Sequence, residues 1–388
     1  MELVEDTTRD AGSKTPTRWS AALFAIKVQG LRAQRWVRDL GGTARSWPIE
    51  RHPKDKWKLR YELRSHLWSD ADKRERQFEL GKVENLRRAC SRLNGIVIEA
   101  GGTFSFWRQI GRASGRRGFV VGRMLQQGCV VPAIGGGLCQ LSNALYGLAL
   151  KSGCEIIERH AHSIKMPGAP VDDATVAWNY IDLRFRVHEQ TRIKAWMSGE
   201  ELIVEWQTDC SSMLPSSEYV QLEQIIETRA LQNVQSCASC AVTDCFRHEA
   251  PRAAAYEERT AYLVDSDLPE LDDYIRRVCK PGDVLVPKGA TRSHSVERMV
   301  VEFAQALRPD VTHLCVSQAL LPWLWRMGAM GGRTFDVFMS PVLVPMSDPW
   351  LVRDEEEALK FVRRFIFQTE LGTPPTLQAQ PETETIGA

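Results

Sequence analysis

Three consecutive glycines, Gly135-Gly136-Gly137, run straight into a leucine stripe, and this junction constrains the fold more than any other stretch of the chain. Leu138, Leu141, Leu145 and Leu148 recur at the spacing of one helix face, and Gly153 supplies a C-terminal stop, so the spacing predicts a helix over 138–152. Strand-like runs follow at 155–163, 174–178 and 182–187, then a pair at 192–197 and 202–207 joined by Ser198-Gly199. A helix with a glycine-rich lead-in followed by antiparallel strands is an α+β pattern. Glycines ahead of a helix leave backbone N–H groups uncovered, so the lead-in reads as flexible and exposed.

A chain of 388 residues accommodates two domains plus tails, and 43% hydrophobic with 26% charged residues is an ordinary globular composition. Residues 1–17 and 371–388 are polar and aperiodic, and read as disordered. Within 18–45, Leu23, Ile26, Leu31, Trp36 and Leu40 alternate with basic groups at helical spacing. Packing of this amphipathic helix on the next domain is favoured over peripheral contact with an anionic membrane. A further helix is expected within 71–93. The acidic opening Met1–Asp6 is unlike a secretory signal, and no apolar run is long enough to span a bilayer, so a cytoplasmic location is expected. A net charge of +1 gives no reason to expect a nucleic-acid partner.

Three stretches within residues 46–209 stand out together by their order and spacing. The first is Gly102-Thr103-Phe104-Ser105-Phe106, with Ile110-Gly111 and Arg117-Gly118-Phe119 behind it. The second runs from Gly135 through Cys139-Gln140 to Tyr146, and the third is Glu158-Arg159-His160-Ala161-His162-Ser163, continued by Asp173–Val176 and Asp182–Phe185. Together these stretches resemble the VanW family over residues 46–209, and the resemblance implies an association with glycopeptide-resistance clusters and leaves the reaction type open.

The chemistry is read from the residues. Cys139 falls in the first helical turn, where the positive helix end favours thiolate. A buried structural thiol is the alternative. Asn143 and Tyr146 share its helix face, away from the leucines. If 155–163 is extended, Glu158, His160 and His162 alternate onto one side. His162, nearer the strand end, is preferred over His160 as activating base, with Asp173 or Asp182 as orienting acid and Gln140 as an amide donor. Gly135, Gly136, Gly137, Asn143, Tyr146, Glu158, Arg159 and Arg117 are the candidate substrate contacts. Cysteine at a helix start, histidine next and acid later is the order of papain-like and transglutaminase-like enzymes, a fold-level analogy. A cysteine enzyme acting on an amide or acyl bond of a small-molecule or peptide-like substrate is the first expectation. The others are a binding module for a small anionic ligand, using Arg112, Arg116, Arg117 and Arg123, and an interaction protein.

Residues 210–259 read as a linker holding Cys237, Cys240, Cys245 and His248 in a C-x2-C-x4-C-x2-H pattern. This is a full Cys3His set for one structural Zn²⁺. An iron–sulfur centre completed by Cys210, or a linker without metal, are the alternatives. From 260 to 370 the alternation of strands (261–264, 283–286, 312–316) with helices (268–278, 293–307, 354–368) predicts a small parallel α/β domain. His313–Gln318 and Gly331–Val337 weakly resemble one half of a two-domain glycosyltransferase.

Overall fold

The computed structural model describes residues 17–41, 44–50, 56–68, 76–126, 129–162, 173–209, 221–222, 235–236, 245, 259–264, 269–285, 296–307, 311–330, 333–339 and 348–367. Both expected tails lie almost wholly outside these residues, as do Cys210, Cys237, Cys240 and His248; Cys245 is buried. The chain divides into two compact units, Met1–Glu257 and Glu258–Ala388. Among the described residues no helix is long and apolar enough to cross a membrane.

The first unit opens with α1, Arg18–Asp39, started by a reciprocal capping box between Thr17 and Ser20. Its amphipathicity is used in reverse. Trp19, Leu23, Ile26, Trp36 and Leu40 stay exposed, while Arg35 is buried. Arg35 forms an ion pair with Glu158 and donates to the Tyr180 carbonyl, and Arg32 donates to the Trp178 carbonyl. Charge pairing and hydrogen bonds hold this face of the helix, together with the buried Val28.

Behind it come β1 (Trp57–His66), α2 (Arg76–Cys90), β2 (Ile96–Ile98), β3 (Thr103–Ser105), α3 (Phe106–Ile110), β4 (Val121–Gln126) and β5 (Cys129–Ile134). Then follow α4 (Cys139–Lys151), β6 (Glu155–Glu158), β7 (Arg184–Arg186), β8 (Thr191–Ser198), β9 (Glu201–Asp209), β10 (Gln221–Leu222) and β11 (Gln235–Ser236). They build a five-stranded sheet in the order β10-β1-β9-β8-β2 and two three-stranded sheets, β3-β7-β6 and β11-β5-β4. The expected hairpin is β8–β9, turning at Ser198 and Glu201. The leucines of α4 fill a core with Leu86, Phe104, Phe185 and Trp206. The expected strand over 155–163 is shorter, ending at Glu158, and 174–178 contributes only an isolated bridge.

The second unit contains β12 (Arg259–Leu263), α5 (Pro269–Val278), β13 (Val284–Leu285), α6 (Val296–Ala306), β14 (Val311–Ser317), α7 (Leu321–Arg326), β15 (Thr334–Phe338), α8 (Pro349–Leu359) and β16 (Arg364–Ile366). The sheet is wholly parallel, in the order β13-β12-β14-β15-β16. This is the 2-1-3-4-5 order of doubly wound folds. α5 covers one face, and α6, α7 and α8 cover the other. Every residue of the central β14 is buried, as expected of a parallel strand covered on both sides. The helix expected at 354–368 instead spans 349–359, because Asp348 caps it through Trp350 N and Pro349 starts it. The rest of that stretch becomes the edge strand β16, drawn into the ladder by β15.

Candidate functional site

Cys139 is the first residue of α4. The N–H groups of Gly137, Leu138 and Cys139 have no backbone acceptor among the described residues. Those donors are held rigidly. The expectation of a flexible, exposed glycine lead-in is corrected here, because the three glycines permit close packing. A Cβ on Gly136 would meet the Gly122 backbone at 2.5 Å, and one on Gly137 would meet Lys82 Cγ at 2.0 Å. Gly135 and Gly137 also have φ of +79° and +97°, a region that side chains disfavour. The buried Asn85 of α2 ties the turn down, donating to Gly136 O at 2.9 Å and to Val120 O at 3.0 Å while accepting from Val120 N.

Opposite the sulfur runs the extended segment 173–176. Cys139 Sγ lies 3.4 Å from Thr175 Oγ1 and 3.8 Å from the Val176 carbonyl oxygen. The next turn of α4 clamps this segment at Ala174. Ser142 donates to the Ala174 carbonyl at 2.6 Å, and Asn143 Oδ1 accepts from Ala174 N at 2.7 Å. Thr175 N in turn donates to His160 O at 2.8 Å, which fixes the chain carrying His162. The His162 ring acts on the Cys139 sulfur electrostatically, and its Nδ1 pairs with the Asp173 carboxylate. With Nδ1 committed to Asp173, Nε2 is the atom left for the sulfur. Asp173 is fully buried, and Oδ1 also accepts from the His162 backbone N–H at 3.2 Å.

The electrostatics follow from this arrangement. Burial alone pushes the Cys139 thiol up, but the His162 hydrogen bond and charge outweigh it, so the thiol ends below its ordinary value. Burial likewise disfavours charged His162, yet Cys139 and then Asp173 raise its pKa to about 9. The array can therefore hold a thiolate–imidazolium pair near neutral pH.

The two other candidate acid–base residues are engaged elsewhere. His160 is exposed and turns its Nε2 to Glu158, at 3.2 Å. The expected alternation of both histidines onto one strand face fails because β6 ends at Glu158. Asp182 is buried, where it accepts from the Ser105 hydroxyl, Trp107 N and Arg184. It helps line a cavity of about 220 Å³ with Trp36, Asp39, Ser105, Trp107 and Arg184, and Cys139 is not part of that lining. Glu158 is the ion-pair partner of Arg35. Gln140 spends its amide N–H groups on Ser65 Oγ and His66 O, at 3.0 and 2.7 Å. Arg159 lies over the Tyr146 ring and donates to the Asp173 carbonyl. Arg117 lies against Gly111, and Arg123 pairs with Glu79. Arg112 and Arg116 are exposed.

Sequence reasoning missed Asn85, Ser142, Thr175 and Lys82. Asn85 left one trace, an amide beside Val83 and Leu86 in an otherwise apolar stripe. Burial pushes the Lys82 ammonium down to about 8. Among the described residues all cysteines are free thiols, and Cys245 is the one member of the expected zinc set that they include.

Residues 81–207 match the family described as VanW like protein. The chain is 33% identical over 130 residues to the vancomycin B-type resistance protein VanW of Enterococcus faecalis, covering 32% of this chain and 47% of that protein. It is 28% identical over 126 residues to the uncharacterized protein YoaR of Bacillus subtilis, covering 32% of this chain and 42% of that one. The matched parts thus span less than half the length of either relative. No solved structure matches the chain. The family match stops at residue 207 and lends no support to the glycosyltransferase resemblance of the second unit.

Proposed function

Residues 81–207 are a VanW-like domain, and on that premise we propose that the domain performs thiolate chemistry on an amide or acyl bond. Cys139 is the nucleophile, His162 its acid–base partner and Asp173 the group that orients the imidazole. The carrying observation is the His162 ring, paired through Nδ1 with the buried Asp173 and acting on Cys139 so that its thiol falls below the ordinary value. In this reading the sulfur attacks the substrate carbonyl carbon, and imidazolium gives its proton to the departing amine or alcohol. The resulting thioester is released by water or an acceptor nucleophile, which His162 deprotonates. The N–H groups at the start of α4, which have no backbone acceptor among the described residues, stabilise the developing oxyanion in this reading. The order of cysteine at a helix start, then histidine, then acid, parallels papain-like and transglutaminase-like enzymes, an analogy of chemistry and order. Peptide-like envelope precursors or natural products, the amide-rich molecules associated with glycopeptide resistance, are the substrate class in view.

The test is intact-mass analysis after exposure to an activated acyl ester, followed by peptide mapping. One acyl group should appear on the peptide containing Cys139 and disappear over time, and His162→Ala should slow both steps. Absence of acylation at Cys139, with other thiols labelled, would sink the proposal. The domain would then be read as a binding module in which the same N–H groups hold a small anion.

A further inference from the structure

The second unit contains a ligand set that plays no part in the site around Cys139. Along one rung of its parallel sheet, Tyr262 of β12, Cys315 of β14, Asp336 of β15 and Arg364 of β16 stand side by side. His313, two residues before Cys315, projects from the same face of β14. His313, Cys315 and Asp336 are all buried, and one ligand atom from each lies within 4.8 Å of the others.

Two further observations point to a missing occupant. Asp336 is 4% exposed, and its Oδ1 has no hydrogen-bond partner. Its Oδ2 takes both contacts from Arg364, at 3.2 and 2.8 Å, so one oxygen is satisfied twice while the other is left bare. A bare carboxylate oxygen inside a sheet is costly unless something binds it. His313 is also prepared as a ligand. Its Nδ1 bonds the Thr334 hydroxyl at 2.8 Å, leaving Nε2 to face Asp336 at 3.4 Å. A second hydrogen bond that fixes the ring in this way is the usual support of a metal-binding histidine.

We propose that His313, Cys315 and Asp336 form a binding site for a divalent cation of the zinc class. One imidazole, one thiolate and one carboxylate suit a borderline ion, and the two anions balance its charge, so the buried set becomes neutral. Binding displaces the Cys315 proton to solvent. Arg364 remains on Asp336 Oδ2 as the outer partner of the carboxylate while Oδ1 turns to the ion. Three protein ligands leave a fourth position open, the pattern of zinc sites that bind a water or a substrate atom.

The experiment uses the full chain carrying Cys237→Ser and Cys240→Ser, which removes two of the four linker cysteines and so disables the competing Cys3His set. The protein is stripped with chelator and titrated with Co²⁺, and absorbance and bound metal are read together. One Co²⁺ per chain with an intense sulfur-to-cobalt band is expected. Cys315→Ser should abolish the band, and Asp336→Asn should weaken binding at least tenfold, with folding checked by circular dichroism. No such band in the parent, or a band that survives Cys315→Ser, overturns the proposal. Because the parent reading needs no substitution in the sheet, misfolding of either variant leaves the proposal open to refutation. Acylation at Cys139 is unaffected by any outcome.

Discussion

His162 and Asp173 are eleven positions apart in sequence, yet the imidazole Nδ1 of one pairs directly with the buried carboxylate of the other. This pair orients the histidine toward Cys139, and much of what can be tested about the first unit depends on it.

Cys139 should be the first described thiol to alkylate. Its pKa lies below the ordinary 9.0, whereas burial pushes Cys90 and Cys154 up to about 12 and raises Cys279. Iodoacetamide labelling across a pH series, read by peptide mapping, should give two steps for Cys139. The first, below pH 9.0, marks thiolate formation; the second, near pH 9, marks loss of the His162 proton. His162→Ala should merge them into a single step at or above the ordinary thiol value. Faster labelling of Cys279 than Cys139 would refute this ordering.

Asp173→Asn removes the anion that helps hold His162 protonated, so the ring pKa should fall from about 9. A group with a raised folded-state pKa stabilises the fold below its unfolded value and loses that contribution as pH rises through the folded value. The stability tied to His162 is therefore present below pH 6.5 and is lost toward pH 9. Proton NMR of the imidazole should show the lower midpoint in Asp173→Asn, and urea unfolding should show a flatter pH dependence across that window. An unchanged midpoint would mean that Asp173 does not act on the ring.

Glu158 supplies the opposite sign. Burial raises its pKa, but His160 and then Arg35 overcome that and hold the carboxyl at about 2 instead of 4.5. The contribution is present above pH 4.5, is lost as pH falls toward 2, and is worth about 3 kcal/mol. Arg35→Gln should remove the Arg35 share of it, shift acid unfolding to higher pH and free α1 for proteolysis. Acid transitions that coincide in the two proteins would contradict the pairing.

Gly137→Ala should destabilise the first unit by about 1–3 kcal/mol, because it combines a strained backbone angle with a clash against Lys82. Asn85→Ala should cost a similar amount by leaving the buried Gly136 carbonyl and the Val120 N–H without the partner Asn85 supplies. Both changes should also slow Cys139 labelling in the folded protein, although neither touches the sulfur. Urea titrations together with labelling rates at neutral pH check both effects. Full labelling speed in a destabilised Asn85→Ala protein would separate the turn from the site.

What could be read from the sequence was what repeats locally. The leucine period placed α4 to within a residue at each end, and the glycine–cysteine junction marked where its first turn begins. Alternation across 192–207 placed the β8–β9 hairpin, and apolar runs marked β12 and β14. These signals come from each residue's own face, which backbone geometry imposes whatever the segment packs against. What required tertiary structure was pairing. His160 and His162 have equivalent alternation in sequence, and only the early end of β6 and the capture of His160 by Glu158 separate them. Asp173 and Asp182 are equally acidic in sequence, but one meets an imidazole and the other caps α3 through Ser105 and Trp107. The face of α1 that docks was hidden for the same reason, since its partner Glu158 lies 123 positions away. The cluster of His313, Cys315 and Asp336 exists only once β14 and β15 are in register. Periodicity is a property of one segment, whereas a site is made of side chains from several, brought together by burial and by hydrogen bonds that no single segment encodes.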